Sequence, residues 1–233
     1  MAGRVAARSL ADIATAAAQV FTERGYRETG ISDVSKALGL SHGALYTYVQ
    51  SKEALLYVAL AWSIRPDLLD GLAIPVPLPG EEDIVALARG WADGEDFPRL
   101  TAALTRRRVR STREEFGEIV DELYGFIERN RGVLALVEQC ARELPEMFRF
   151  WFVQRRRGAF EALGMYLDKR IQSGHLRNVP DVPTAARFIA ETAAWFAWHR
   201  LGDPDSAMLT DELCRATVHH LVLNAFLPAE GNP

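Results

Sequence analysis

His42, Tyr46, Thr47, Tyr48 and Lys52 crowd an imidazole, three hydroxyls and an ammonium group into one short stretch, and Ser41 adds a fourth hydroxyl beside them. Hydroxyls and ammonium groups suit phosphate oxygens, and the methyl of Ala44 suits the methyl of thymine. Bond-making chemistry has no comparable footing. The chain lacks a phosphate-cradling glycine loop, a serine nucleophile elbow, a pair of histidines around a glutamate and a paired-cysteine motif. His219 and His220 are adjacent, so on a helix they point about 100° apart and do not make a two-ligand metal face. The chemistry to expect is recognition, with no enzyme activity, cofactor or metal.

Such groups need a slim, exposed helix start to carry them. The segment from Thr29 to Lys52, TGISDVSKALGLSHGALYTYVQSK, reads as a short helix, a tight turn at Gly39 and a second short helix. Glycine at the turn accepts a left-handed backbone because it has no Cβ. Ser41 can cap the second helix, while Gly43 and Ala44 keep its first turn narrow. Val34, Ser35, Leu38, Leu40, Leu45 and Tyr48 fall where two steeply crossing helices share a small core, and Leu45 and Val49 point inward. His42, Ala44, Thr47 and Tyr48 are left at the outward rim, with Tyr46 on one flank and Lys52 just past the end. This is helix-turn-helix spacing, in which the second helix enters the major groove of DNA. An ordinary helical hairpin with its tyrosines as core edges is the bland alternative; turn, cap, periodicity and polar rim together favour the DNA reader.

The same residues resemble the N-terminal signature of TetR/AcrR-type transcriptional regulators: Gly25-Tyr26, Thr29, Ile31-Ser32-Asp33-Val34, Gly39 through Val49, and Ser51-Lys52-Glu53 with Leu55-Leu56. The resemblance implies phosphate contact by Thr29, Tyr46, Tyr48 and Lys52, and base-edge contact by His42, Gly43 and Ala44. Ser32, Ser41 and Thr47 complete the DNA-facing candidates. Three positions depart from the family pattern. Gly30 stands where a threonine or serine is usual, although Asp33 still favours the exposed amides there. Ser35 replaces alanine and is small enough to fit the helix crossing. His42 replaces the commoner lysine or arginine, which leaves base preference open.

The chain has 233 residues, 48% hydrophobic and 25% charged, which is ordinary composition for a protein with a core. Its net charge of −4 argues at first against a nucleic-acid partner. The first 60 residues, however, hold six basic and five acidic groups, net +1, while the remainder holds 21 and 26, net −5. The basic end can approach phosphates while the acidic body stays away. No apolar run approaches the roughly 20 residues that span a bilayer, and a signal peptide is not recognisable, so a cytoplasmic protein is expected. Cys140 and Cys214 are far apart in apolar contexts and read as buried thiols.

Around the reader, Ser9 to Arg24 forms one helix with a Ser9/Asp12 capping box, closed by Gly25. Arg4 and Arg8 precede it as an arm. Ser51 opens a fourth helix that Pro66 ends, an obvious lever between two halves. Leu72 to Gly80, with three prolines, reads as a loop. Beyond it the pattern is helical over Glu81–Trp91, Pro98–Arg110, Arg113–Arg129, Val133–Leu144, Pro145–Ser173, Pro183–Leu201 and Ser206–Leu227. The fold class is all-α with about ten helices: a helix-turn-helix domain with connecting helix over residues 1–66, and a regulatory domain for ligand binding and dimerisation over 67–233.

Two of these helices are too apolar for one buried face. Residues 193–198, AAWFAW, are apolar on every side, and the last helix adds Leu209, Leu213, Leu221, Val222, Leu223, Phe226 and Leu227. A two-fold, four-helix interface would cover the surplus, as would a large monomeric core; the family resemblance implies the homodimer. Aromatic clusters invite a ligand pocket with Tyr124, Met147, Trp151, Met165, Trp195, Trp198 and His199 as candidates, although aromatics at helical spacing also serve as plain core. Arg106–Arg108 and Arg110 read as helix-end cations, and Arg155–Arg157 fan around a helix. The function expected is a ligand-responsive repressor that binds a palindromic operator as a dimer and is released by an apolar or aromatic small-molecule effector. The rival readings are a ligand-binding protein of the same fold without DNA function, and an α-helical enzyme.

Overall fold

The computed structural model describes residues 8–229; Arg4 lies outside the described residues. Twelve α-helices are named here: α1 (Leu10–Arg24), α2 (Ile31–Ala37), α3 (His42–Leu45), α4 (Lys52–Ile64), α5 (Glu81–Gly94), α6 (Pro98–Thr105), α7 (Thr112–Arg129), α8 (Arg131–Ala141), α9 (Pro145–Phe148), α10 (Arg157–Gln172), α11 (Val182–Ala197) and α12 (Asp211–Phe226). A π-helical stretch, Arg149–Arg156, joins α9 to α10. Among the described residues there is no β-strand; one isolated parallel bridge pairs Val49 with Val76. The architecture is all-α, as the periodicity implies. The chain forms two compact units, Met1–Gly94 with Gly132–Arg155, and Glu95–Arg131 with Arg156–Pro233.

In the first unit local signals end the helices where they should. Ser9 accepts from Asp12 N while Asp12 takes the Ser9 amide, a complete capping box, and Gly25 stops α1 at φ 84°. Ile13, Ala14, Ala17, Val20 and Phe21 line its buried face. Ser51 caps α4, which is buried along Ala54–Leu56 and Val58–Ala61 and packs on α1 and α5. A helix apolar on so many sides cannot lie on a surface.

The second unit is a bundle of α7, α10, α11 and α12, with α6 against α7 and α10. Phe116 sits at its centre, stacked on Tyr166 at 6.1 Å and edge-on to Phe226 at 5.8 Å. Several helix ends differ from the expected bounds, and each has a side chain behind it. The helix from Pro98 stops at Thr105 because Lys169 Nζ donates to the carbonyls of Leu104 and Arg106, and Arg170 to that of Ala103. Arg107, Arg108 and Arg110 therefore sit in a loop beyond the helix end. The helix from Pro183 stops at Ala197 because Arg131 and Arg200 take the carbonyls of Ala197 and Phe196. The last helix starts at Asp211 and not near Ser206, since the Thr210 hydroxyl caps Leu213 N. Cys140 and Cys214 are buried free thiols.

The outer faces of α11 and α12 carry a periodic apolar stripe. Phe188 and Trp195 point outward on α11, and Leu213 and Leu221 on α12. Val222, Leu223, Phe226 and Leu227, counted above as surplus, are buried within the protomer. Helical periodicity sees apolar character on two faces without telling which face meets the chain's own core.

Candidate DNA-reading site

The reading unit is α1 with the α2–Gly39–α3 turn. Gly39 adopts φ 67°, the left-handed conformation that favours glycine. Arg8 donates to Leu38 O at 3.1 Å and closes the end of α2. At the start of α2, Gly30 offers no side-chain cap, and Asp33 supplies it by accepting the Gly30 amide at 2.7 Å. Asp33 also pairs with Arg24 at 2.7 Å, and those two donors hold its carboxyl below the ordinary range. Ser41 accepts Ala44 N at 3.2 Å and so caps α3.

The rim of α3 is open. Ser41, His42, Gly43, Tyr46 and Thr47 are exposed, and Ser32, Ala44 and Tyr48 are partly so. The His42 ring meets the Tyr46 ring edge-on, with centroids 5.3 Å apart. Thr47 donates its hydroxyl to Ala44 O at 2.7 Å. A Cβ built at Gly43 would meet no atom within 4 Å, so nothing inside the protein requires glycine there.

Two candidates are less available than their residue types imply. Thr29 is buried, and its hydroxyl donates to Gly25 O at 2.7 Å, satisfying a carbonyl left free at the end of α1. Side-chain contact to phosphate is corrected accordingly: Thr29 ties the α1–α2 turn. Lys52 Nζ lies 4.3 Å over the Tyr26 ring and donates to Arg27 O. Partial burial there weakens its hold on the proton, against the pull of Glu53. Tyr26 donates to Glu53 at 2.7 Å, so Glu53 stays below the usual carboxylate range while burial pushes Tyr26 up. Glu143 accepts the Arg27 amide, a tie on the same turn that a lone glutamate far along the sequence does not announce.

The ligand candidates do not converge. Met147 and Trp151 are buried in the first unit, where Trp151 stacks on Trp91 at 5.9 Å. Met165, Trp195 and His199 face outward in the second unit and are withdrawn as pocket residues. Trp198 is half-buried against His199. Tyr124 is 1% exposed, its hydroxyl has no hydrogen-bond partner, and burial pushes it up to about 12. None of the seven lines the apolar slot that the second unit does contain, between α6, α7, α10 and α11. That slot is walled by Leu100, Ile119, Leu123, Phe160 and Leu163 and encloses about 40 Å³. Its one carboxylate, Glu122, accepts the amides of Arg99 and Leu100.

Comparison with known proteins falls on this geometry. Residues 13–58, from α1 into α4, match the family model described as bacterial regulatory proteins, tetR family. The chain is similar to the HTH-type transcriptional repressor KstR2 of Rhodococcus jostii (strain RHA1), 27% identical over 189 residues that cover 80% of this chain and 77% of that one. Among solved structures, the ketosteroid transcriptional regulator KstR2 of Mycobacterium tuberculosis superposes with a TM-score of 0.58 at 21% identity, covering 97% of this chain and 100% of that one. AibR in complex with isovaleryl coenzyme A and operator DNA superposes with a TM-score of 0.54 at 17% identity, over 92% and 97% of the two chains. With residues 13–58 matching that model and coinciding with the capped, outward-facing helix-turn-helix, the N-terminal segment is a helix-turn-helix of the tetR-family type.

Proposed function

We propose that this protein is a ligand-responsive transcriptional repressor that reads a palindromic operator as a homodimer in the cytoplasm, residues 1–66 doing the reading and 67–233 the regulation. The observation that carries the reading is the rim of α3, where a capped four-residue helix exposes His42, Gly43, Tyr46 and Thr47 beside a glycine that internal packing does not need. Base-edge contact falls to His42, Gly43 and Ala44, and phosphate contact to Tyr46, Tyr48 and, when its hydroxyl turns away from Ala44 O, Thr47. Two heads related by a dyad read half-sites about one helical turn, or a multiple, apart. The apolar stripe on α11 and α12 is the surface that brings two protomers together.

The effector in this proposal is an apolar small molecule whose body enters the slot walled by Leu100, Ile119 and Phe160. At about 40 Å³ the slot holds a few water molecules, so it must widen to accept a ligand. An effector that favours the widened state shifts the protein only as far as its affinities for the two states differ. AibR, solved with an acyl coenzyme A and operator DNA, is a precedent for both ligands on this fold.

Gly43→Ala separates a DNA reader from a helical hairpin. Replacing glycine by alanine where the backbone conformation allows it stabilises by about 0.4–1 kcal/mol through the unfolded chain, and the new methyl meets nothing in the protein. The variant should therefore melt no lower than wild type yet lose affinity for a duplex that the wild type selects from a random pool. Unchanged affinity would remove Gly43 from the interface. In the same assay Tyr46→Ala should weaken binding to all duplexes and reduce the salt slope, whereas His42→Ala should change which bases are selected. Loss of neither property would contradict the assigned contacts.

A further inference from the structure

The C-terminal side of the reading helix is closed only in part by its neighbours in sequence. Thr47 N bonds to Ala44 O, and Tyr48 N and Val49 N both bond to Leu45 O, so a single turn follows α3. Past that turn the partners come from the proline-rich segment between α4 and α5. Val76 N donates to Tyr48 O at 2.8 Å, and Gln50 N donates to Val76 O at 2.9 Å. These two bonds form the parallel bridge around Val49, and both valine side chains are buried, at 0% and 3% exposure.

The segment's composition suits a fixed post. Pro75 and Pro77 flank Val76, and Pro79 follows two residues on. Proline has no N–H, so among Pro75, Val76 and Pro77 only Val76 can donate to the reader, and the locked φ angles limit the shapes the segment can take. Gly80 N then bonds to Asp83 at 2.9 Å and opens α5. The exposed hydroxyls of Tyr46 and Thr47 thus sit on a turn held by Leu45 on one side and by this bridge on the other.

We propose that Leu72–Gly80 is a strap that positions the reading turn, and that Val76 is a positioning residue for DNA recognition. The inference rests on the DNA-reading function above. Val76 touches no DNA. It sets where Tyr46, Thr47 and Tyr48 stand, so its loss weakens binding without removing a phosphate contact.

The test uses the full-length protein and a duplex that the wild type enriches from a random pool. Val76→Pro deletes the donor to Tyr48 O and keeps an apolar side chain; it should weaken binding about tenfold, the cost of about one buried hydrogen bond. The slope of affinity against salt should stay as in wild type, and the Gln50 amide should exchange faster. Val76→Ala keeps both backbone bonds and should bind more tightly than Val76→Pro. Pro77→Gly loosens the strap without touching the reader and should cost about threefold. Wild-type affinity in Val76→Pro with fast Gln50 exchange, or equal losses in Val76→Pro and Val76→Ala, overturns the proposal. Should Val76→Pro fail to fold, Pro77→Gly decides: binding as tight as wild type overturns it. A wild-type protein that enriches no duplex overturns the DNA-reading function and this inference with it.

Discussion

Replacing Leu213 and Leu221 together by glutamate should convert the proposed homodimer to a 26.0 kDa monomer and lower its affinity for a palindromic duplex by at least a hundredfold. Both leucines are largely exposed in the protomer, 64% and 60%, so the substitutions leave the protomer core intact. In the proposed two-fold dimer every change counts twice. Burying a leucine contributes about 1.5–3 kcal/mol, and four are lost from the pair of subunits. Four carboxylates would also have to be desolvated against each other, at several kcal/mol apiece. Either effect exceeds what a dimer can absorb at micromolar concentration. DNA binding follows because a single head forfeits the effective concentration that tethering gives the second half-site, a factor of about 10²–10⁴. Analytical ultracentrifugation gives the mass and a gel shift gives the affinity. A variant that still sediments as a dimer and binds DNA normally would place the dyad elsewhere.

How much of this was readable in the sequence depends on how local the cause is. Gly25, Gly39, Ser9, Ser41 and Ser51 act through atoms within a few residues of themselves, and their roles are legible in the chain. Gly30 and Asp33 show the same logic at one remove, a missing cap made good three residues on. Thr29 is harder. Its type fits a phosphate contact, but the free carbonyl of Gly25 is nearer and takes the hydroxyl inward. Met165, Trp195 and His199 mislead for another reason: an aromatic or sulfur-bearing side chain on a helix says nothing about which face meets a neighbour. The ends of α6 and α11 are set by Lys169, Arg170, Arg131 and Arg200, which are remote in sequence. Val76 looks like one apolar residue in a proline-rich loop until its amide is found on Tyr48.

Glu115→Ala should be the most destabilising single change, lowering the melting temperature by an amount on the order of 10 °C. Glu115 and Arg170 are 5% and 2% exposed, and Arg170 Nε donates to Glu115 at 2.8 Å. Removing the carboxylate leaves a guanidinium buried with Ala103 O still accepting from it at 3.0 Å and the Tyr166 ring 5.4 Å away. A buried charge stripped of its partner costs about 3–5 kcal/mol. The loss reaches beyond the pair, since Arg170 also closes α6 through Ala103. Arg106 bonds the other carboxylate oxygen at 3.1 Å but is half-exposed, so Arg106→Ala should cost less than about 1 kcal/mol. The double variant Glu115→Leu with Arg170→Met distinguishes two origins of the effect. If the loss comes from stranding a charge, replacing both partners by apolar side chains should restore most of the stability, because the pair's attraction roughly offsets its desolvation. If the double variant is as unstable as the single one, the pair itself holds α6, α7 and α10 together. A Glu115→Ala protein that melts within a degree or two of wild type would mean that Arg170 finds water or another acceptor, and that this ion pair is not what secures the bundle.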